Sequence, residues 1–152
     1  MTAVSALLCD PDFSLGLDLP DLGRPEVLEH REDAESALLR LRYEFVGSLD
    51  PIAHRLIGSD RLAWIQEMRV DRSAGTGTLT FEAEKDPRRL HGTAGFVLTP
   101  DRTGSIRRLD GELVVGVPAI GRMAERRIVP GLLRRLDIEA EALDDRLRQV
   151  GG

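Results

Sequence analysis

The stretch from Pro118 to Val150 constrains the fold more than any other part of the chain. Leu132, Leu136, Ala140, Leu143, Leu147 and Val150 recur at steps of three and four, which sets them on one face of a helix. Arg134, Arg135, Glu139, Glu141, Asp144, Asp145, Arg146 and Arg148 fill the turns between them. A helix with a single apolar stripe needs a surface to lie on. Ile120, Met123, Ala124 and Ile128 begin the same face, and Pro130-Gly131 interrupts it. Proline removes a backbone donor and clashes one turn back, at a cost of about 3 kcal/mol if uncompensated, so a kink or a break into two helices is expected there.

The preceding chain supplies the surface. Thr2 to Leu8 reads as a short helix ended by the approach of Pro11. Phe13 to Gly23 reads as an apolar loop or helical turn, and Val27 to Arg31 as a short strand. Leu39, Leu41, Tyr43 and Phe45 alternate with charged residues, the period of a half-buried strand. Asp50-Pro51 resembles a cap and first turn of a brief helix carrying Ile52, Leu56 and Ile57 and ending at Gly58. Three further inward rows follow the strand of Leu62, Trp64, Gln66, Met68 and Val70: Leu79, Phe81 and Ala83; Gly92, Ala94, Phe96 and Leu98; and Leu109 through Val117. Short turns at Ser73–Gly77, Asp86–Arg88 and Pro100–Gly104 join them, which implies an antiparallel meander rather than βαβ units. The expected fold is a single α+β domain over residues 1–152, a curved antiparallel sheet gripping a long C-terminal helix.

Composition narrows the function classes. The formal net charge is −5, which disfavours a nucleic-acid partner. Cys9 is the only cysteine, so an internal disulfide and a thiolate metal cluster are both excluded, and a cytoplasmic location is expected. The apolar run from Ala3 to Cys9 is too short to span a membrane and lacks the basic start of a signal peptide.

Few residues suggest chemistry. His30, His54 and His91 have no metal-site spacing among them. His91 is expected to point outward, His54 to lie on a surface helix, and His30 to approach a cavity mouth. Gly75-Thr76-Gly77 lies between two strands and reads as a hairpin turn, since a dinucleotide site needs a glycine turn between strand and helix. Asp144-Asp145 and Glu139-Glu141 read as solvated charges on the polar helix face. The doublets Arg107-Arg108, Arg126-Arg127 and Arg134-Arg135 are interleaved with acids and read the same way, with an anionic-ligand entrance as the alternative. Tyr43 and Gln66 bring polar groups onto an apolar face, either to bond the local backbone or water, or to orient a ligand head group.

The order of elements resembles the START-like helix-grip superfamily, the polyketide cyclase or SRPBCC group, from about Asp10 to the end of the long helix. More narrowly, it resembles an actinobacterial domain-of-unknown-function branch. The stretches that carry the likeness are Asp60 to Glu67, Gly92 to Pro100, Asp110-Gly111-Glu112 through Val115 to Pro118, and Ile120-Gly121 through Ala140. The resemblance implies a cavity between sheet and helix for a small hydrophobic ligand, with no cofactor and no catalytic motif. Tyr43, Trp64, Gln66, Phe81, Phe96, Leu113, Leu136 and Leu143 are the residues expected around it. The superfamily's opening strand has no counterpart here: either the true start lies upstream of Met1 or the strand is lacking, and its lack would leave an open sheet edge able to pair in a homodimer. Three readings follow: a binder of a hydrophobic ligand; a cyclase or dehydratase using Tyr43, Gln66 or His30 for proton transfer; and an interaction module built on the open edge.

Overall fold

A computed structural model describes residues 2–48, 51 and 61–151. The expected helix after Asp50, with His54, falls almost wholly outside them. Helices α1 (Thr2–Leu8) and α2 (Pro11–Leu15) open the chain, and six strands follow: β1 (Glu26–Glu32), β2 (Ser36–Glu44), β3 (Ala63–Asp71), β4 (Thr76–Ala83), β5 (His91–Asp101) and β6 (Gly104–Val114). Helix α3 (Gly121–Gly151) closes it. Asp10 caps α2, its carboxylate accepting from the Asp12 N–H at 2.9 Å, with Pro11 at the first helical position.

The strands form one antiparallel sheet in sequence order, β1 to β6, so the meander read from the alternation is the observed topology. The sheet is open, and the outer edges of β1 and β6 have no strand partner among the described residues. Side-chain size sets the spacing in its middle. Gly77 faces Phe96, and Gly92 faces Phe81, across β4 and β5. A Cβ at either glycine would overlap the opposing ring, so each ring lies over a position with no side chain.

The core lies between the concave side of the sheet and the helices. Leu39, Leu41, Tyr43, Met68, Val70, Leu79, Phe96 and Leu98 come from the strands, Leu8 and Cys9 from the opening helix and its end, and Leu143 from α3. Cys9 is fully buried, which pushes its thiol up to about 12 and keeps it protonated at neutral pH.

Two expectations about the long helix change. The helix runs unbroken through Pro130. Val129, Pro130 and Arg126 are all exposed, so the Arg126 carbonyl left without its donor can be met by solvent rather than buried unpaired. Ala140 is exposed, whereas Glu139 is buried at 7% exposure. The last strand also stops at Val114 rather than Val117. The chain then turns through Ala119, whose φ of 68° is in the left-handed region. The Val115 N–H donates to Glu125 Oε1 at 3.0 Å, which ties the strand exit to the first turn of α3.

Carboxylates fasten the sheet's turns and outer face. Asp33 accepts the Ser36 and Glu35 N–H groups at 2.7 and 2.8 Å, and Asp71 accepts that of Ala74 at 2.8 Å. Arg42 forks onto Glu84 at 2.7 and 2.9 Å, and Arg61 reaches Glu44 at 2.8 Å. Backbone donors hold Asp33 and Asp71 below the usual carboxylate range, and the guanidiniums of Arg42 and Arg61 do the same for Glu84 and Glu44. The folded state therefore takes up fewer protons than the unfolded chain in mild acid, and the stability this contributes is present above the unfolded value and lost as pH falls through the lowered ones. Thermal melts should show a midpoint that is flat above roughly pH 5 and declines below about pH 4, where free carboxyls protonate. Removing an acceptor, as in Asp33→Asn, should shrink that acid-side decline.

Candidate ligand cavity

A cavity of about 690 Å³ opens between the N-terminal half of α3 and one end of the sheet. Its volume falls within the range of small-molecule sites. Along the helix, Leu136 and Leu143 pack into the core. Towards the N-terminal end, Ala124, Ile128, Gly131 and Leu132 line the cavity, and a Cβ at Gly131 would meet nothing within 4 Å. The other walls are Leu19 and Leu22 before β1, Phe45 and Leu62 at the ends of β2 and β3, and Trp64 and Phe81 on β3 and β4.

The aromatic wall is ordered by stacking. Tyr43 and Trp64 face each other across β2 and β3, with ring centroids 5.8 Å apart and planes 18° from parallel. The Arg135 guanidinium of α3 lies over the Tyr43 ring at 4.4 Å, a cation–π contact that links helix to sheet. Burial pushes the Tyr43 hydroxyl above its ordinary pKa, and the positive charge of Arg135 opposes that shift.

The expected lining is only partly assembled. Trp64 and Phe81 line the cavity, and Tyr43 lies within the core, stacked against Trp64. Gln66 is buried under the middle of the sheet, and Phe96, Leu136 and Leu143 belong to the packed core; none of these four, nor the half-buried Leu113, lines the void. His30 is away from the cavity on edge strand β1, 4.0 Å from Glu32. His91 is exposed, as expected, with Nδ1 3.0 Å from the Pro87 carbonyl oxygen. Among the described residues, no group of three or more His, Cys, Asp or Glu could hold a metal ion, and no helix is long and apolar enough to cross a membrane.

A family model described as a protein of unknown function, DUF2505, matches residues 3–147. The chain belongs to this family. The DUF2505 chain is also similar to two solved structures at low identity. It is 15% identical to TTHA0849 from Thermus thermophilus, with a TM-score of 0.63, covering 99% of this chain and 91% of that one. It is 14% identical to the Zhui aromatase/cyclase from a Streptomyces species, with a TM-score of 0.61, covering 99% and 90%. The likeness establishes the helix-grip fold for the DUF2505 chain. A comparison with curated protein sequences returns no match.

Two charged groups read from the sequence as solvated are inside. Arg107 on β6 and Glu139 on α3 approach to 2.6 Å, at side-chain exposures of 11% and 9%. The contact is out of line for a hydrogen bond, and among the described residues Arg107 Nη1 has no hydrogen-bond partner. Strand and helix periodicity place each residue on an angle, but neither reveals that the two meet. Removing one member of a buried pair leaves the other charge uncompensated, typically at 3–5 kcal/mol, whereas replacing both with apolar groups is often neutral. Glu139→Gln should therefore lower unfolding free energy by roughly 3 kcal/mol in urea denaturation, and pairing it as Arg107→Met with Glu139→Leu should recover most of the loss.

Proposed function

We propose that the protein binds a small, largely apolar ligand in the cavity between α3 and the sheet. The observation that carries this reading is a void of about 690 Å³ walled by Leu19, Leu22, Phe45, Trp64 and Phe81 beside a tightly packed core. Leaving apolar side chains against water forgoes burial energy that an apolar ligand would restore. The likeness to a protein named as an aromatase/cyclase is consistent with an apolar ligand.

Cyclase or dehydratase chemistry on a polyketide-like substrate is the other reading the sequence raised. It needs a proton donor or acceptor within reach of the ligand. Gln66 and His30 do not line the cavity, and Tyr43 is 1% exposed with Trp64 on the wall beside it. Of the acids that do line it, Glu84 is paired with Arg42 at 2.7 Å and Asp86 with Arg88 at 3.1 Å, and binding is the reading we adopt. The single cysteine, buried and free, fits the cytoplasmic location expected from the sequence.

Gly131 provides a test that leaves the core untouched. Gly131→Ala should be accommodated and should raise stability by about 0.5–1 kcal/mol through helix propensity. Gly131→Trp should project into the void and abolish displacement of a hydrophobic dye while the fold, followed by circular dichroism, is retained. A dye that binds both variants as well as the parent would exclude this cavity as the site.

A further inference from the structure

The charge around the cavity runs against the charge of the chain. The protein carries a formal −5. Among the described residues, six basic side chains line the cavity, Arg61, Lys85, Arg89, Arg127, Arg134 and Arg135, against three acids, Asp21, Glu84 and Asp86. Several of these charges are already matched. Arg61 pairs with Glu44 at 2.8 Å, Arg89 with Asp86 at 3.6 Å, and Glu84 with Arg42 at 2.7 Å. Arg134 and Arg135 differ. Among the described residues, neither has a carboxylate within ion-pair distance.

Arg135 is half-buried and placed over the Tyr43 ring, so its guanidinium is fixed in position at the edge of an apolar void. Arg134 is exposed beside it on the same helix. A guanidinium fork matches the geometry of carboxylate and phosphate oxygens, and it is the side chain suited to binding an oxyanion next to a stacked ring. A half-desolvated cation without a counter-charge is also unfavourable, and an anion bound there would relieve it.

We infer that the ligand of this cavity is an amphiphile with an oxyanion head group, carboxylate or phosphate, held by Arg134 and Arg135 while its apolar body lies against Trp64 and Phe81. The inference rests on the cavity being a binding site and adds the chemical class of what it takes.

Trp64 is the only tryptophan and lines the cavity, so its emission reports occupancy without a label. The full-length protein is titrated with dodecanoate, dodecyl phosphate and dodecan-1-ol, each below its aggregation concentration. At least one anion is expected to bind tenfold or more tightly than the alcohol, and the preferred anion identifies the head group. The exposed-site variant Arg134→Gln and the double variant with Arg135→Gln should lower anion affinity by a larger factor than alcohol affinity, so that the ratio of the two falls stepwise. Equal binding of all three compounds would overturn the head-group inference while leaving the apolar site in place. An anion preference that survives the double variant would overturn the assignment to these arginines. If no compound binds, the cavity reading fails and the inference falls with it.

Discussion

The structure depends on one packing requirement: α3 must bury its apolar stripe against the concave side of an antiparallel sheet. Among the described residues no second layer of strands covers that side, and helices do it. The coverage is uneven. Leu143 reaches the core shared with Leu39, Leu41, Met68 and Phe96, whereas Ala124, Ile128, Gly131 and Leu132, nearer the start of the helix, line the cavity.

Polar contacts determine how far the helix can move over the sheet. The Val115 N–H holds Glu125 at the start of α3, Arg135 lies on Tyr43 at the middle, and Glu139 meets Arg107 one turn later. A buried ion pair contributes little net stability compared with apolar packing, yet it is costly to break in half. It therefore acts as a positional constraint, fixing the height and rotation of the helix above β6. The cavity keeps its shape because these contacts lie on both sides of it along the helix axis.

Charge is sorted by location rather than by sequence neighbourhood. On the outer face of the sheet, Arg40 lies between Glu29 at 3.4 Å and Glu67 at 3.5 Å, in the alternating manner of cross-strand pairs. On α3, Arg127 and Arg134 are seven residues apart and share a face, Arg135 is one step around, and Glu139, Glu141, Asp144 and Asp145 all lie further along the chain. A basic cavity mouth can thus exist on an acidic protein without any basic run in its sequence.

Alternation in Leu39 to Phe45, Leu62 to Val70 and Leu79 to Ala83, with turn residues between them, determined the meander, because a period of two is a local property of extended chain. The stripe of Leu132, Leu136 and Leu143 determined the covering helix for the same reason. Periodicity gives the side of an element that faces inward. It does not give what is opposite, or whether side chains from distant segments fill the space between. Phe96 and Gln66 point inward as read, yet the first is closed off in the core and the second lies under the middle of the sheet, while Phe45, just past the end of β2, and Leu19, in the connection before β1, form walls. The meeting of Arg107 with Glu139 and the clustering of Arg134 and Arg135 at a void were likewise decided by tertiary structure. Each depends on the height and rotation at which the helix settles on the sheet, a consequence of packing among segments that are far apart in sequence.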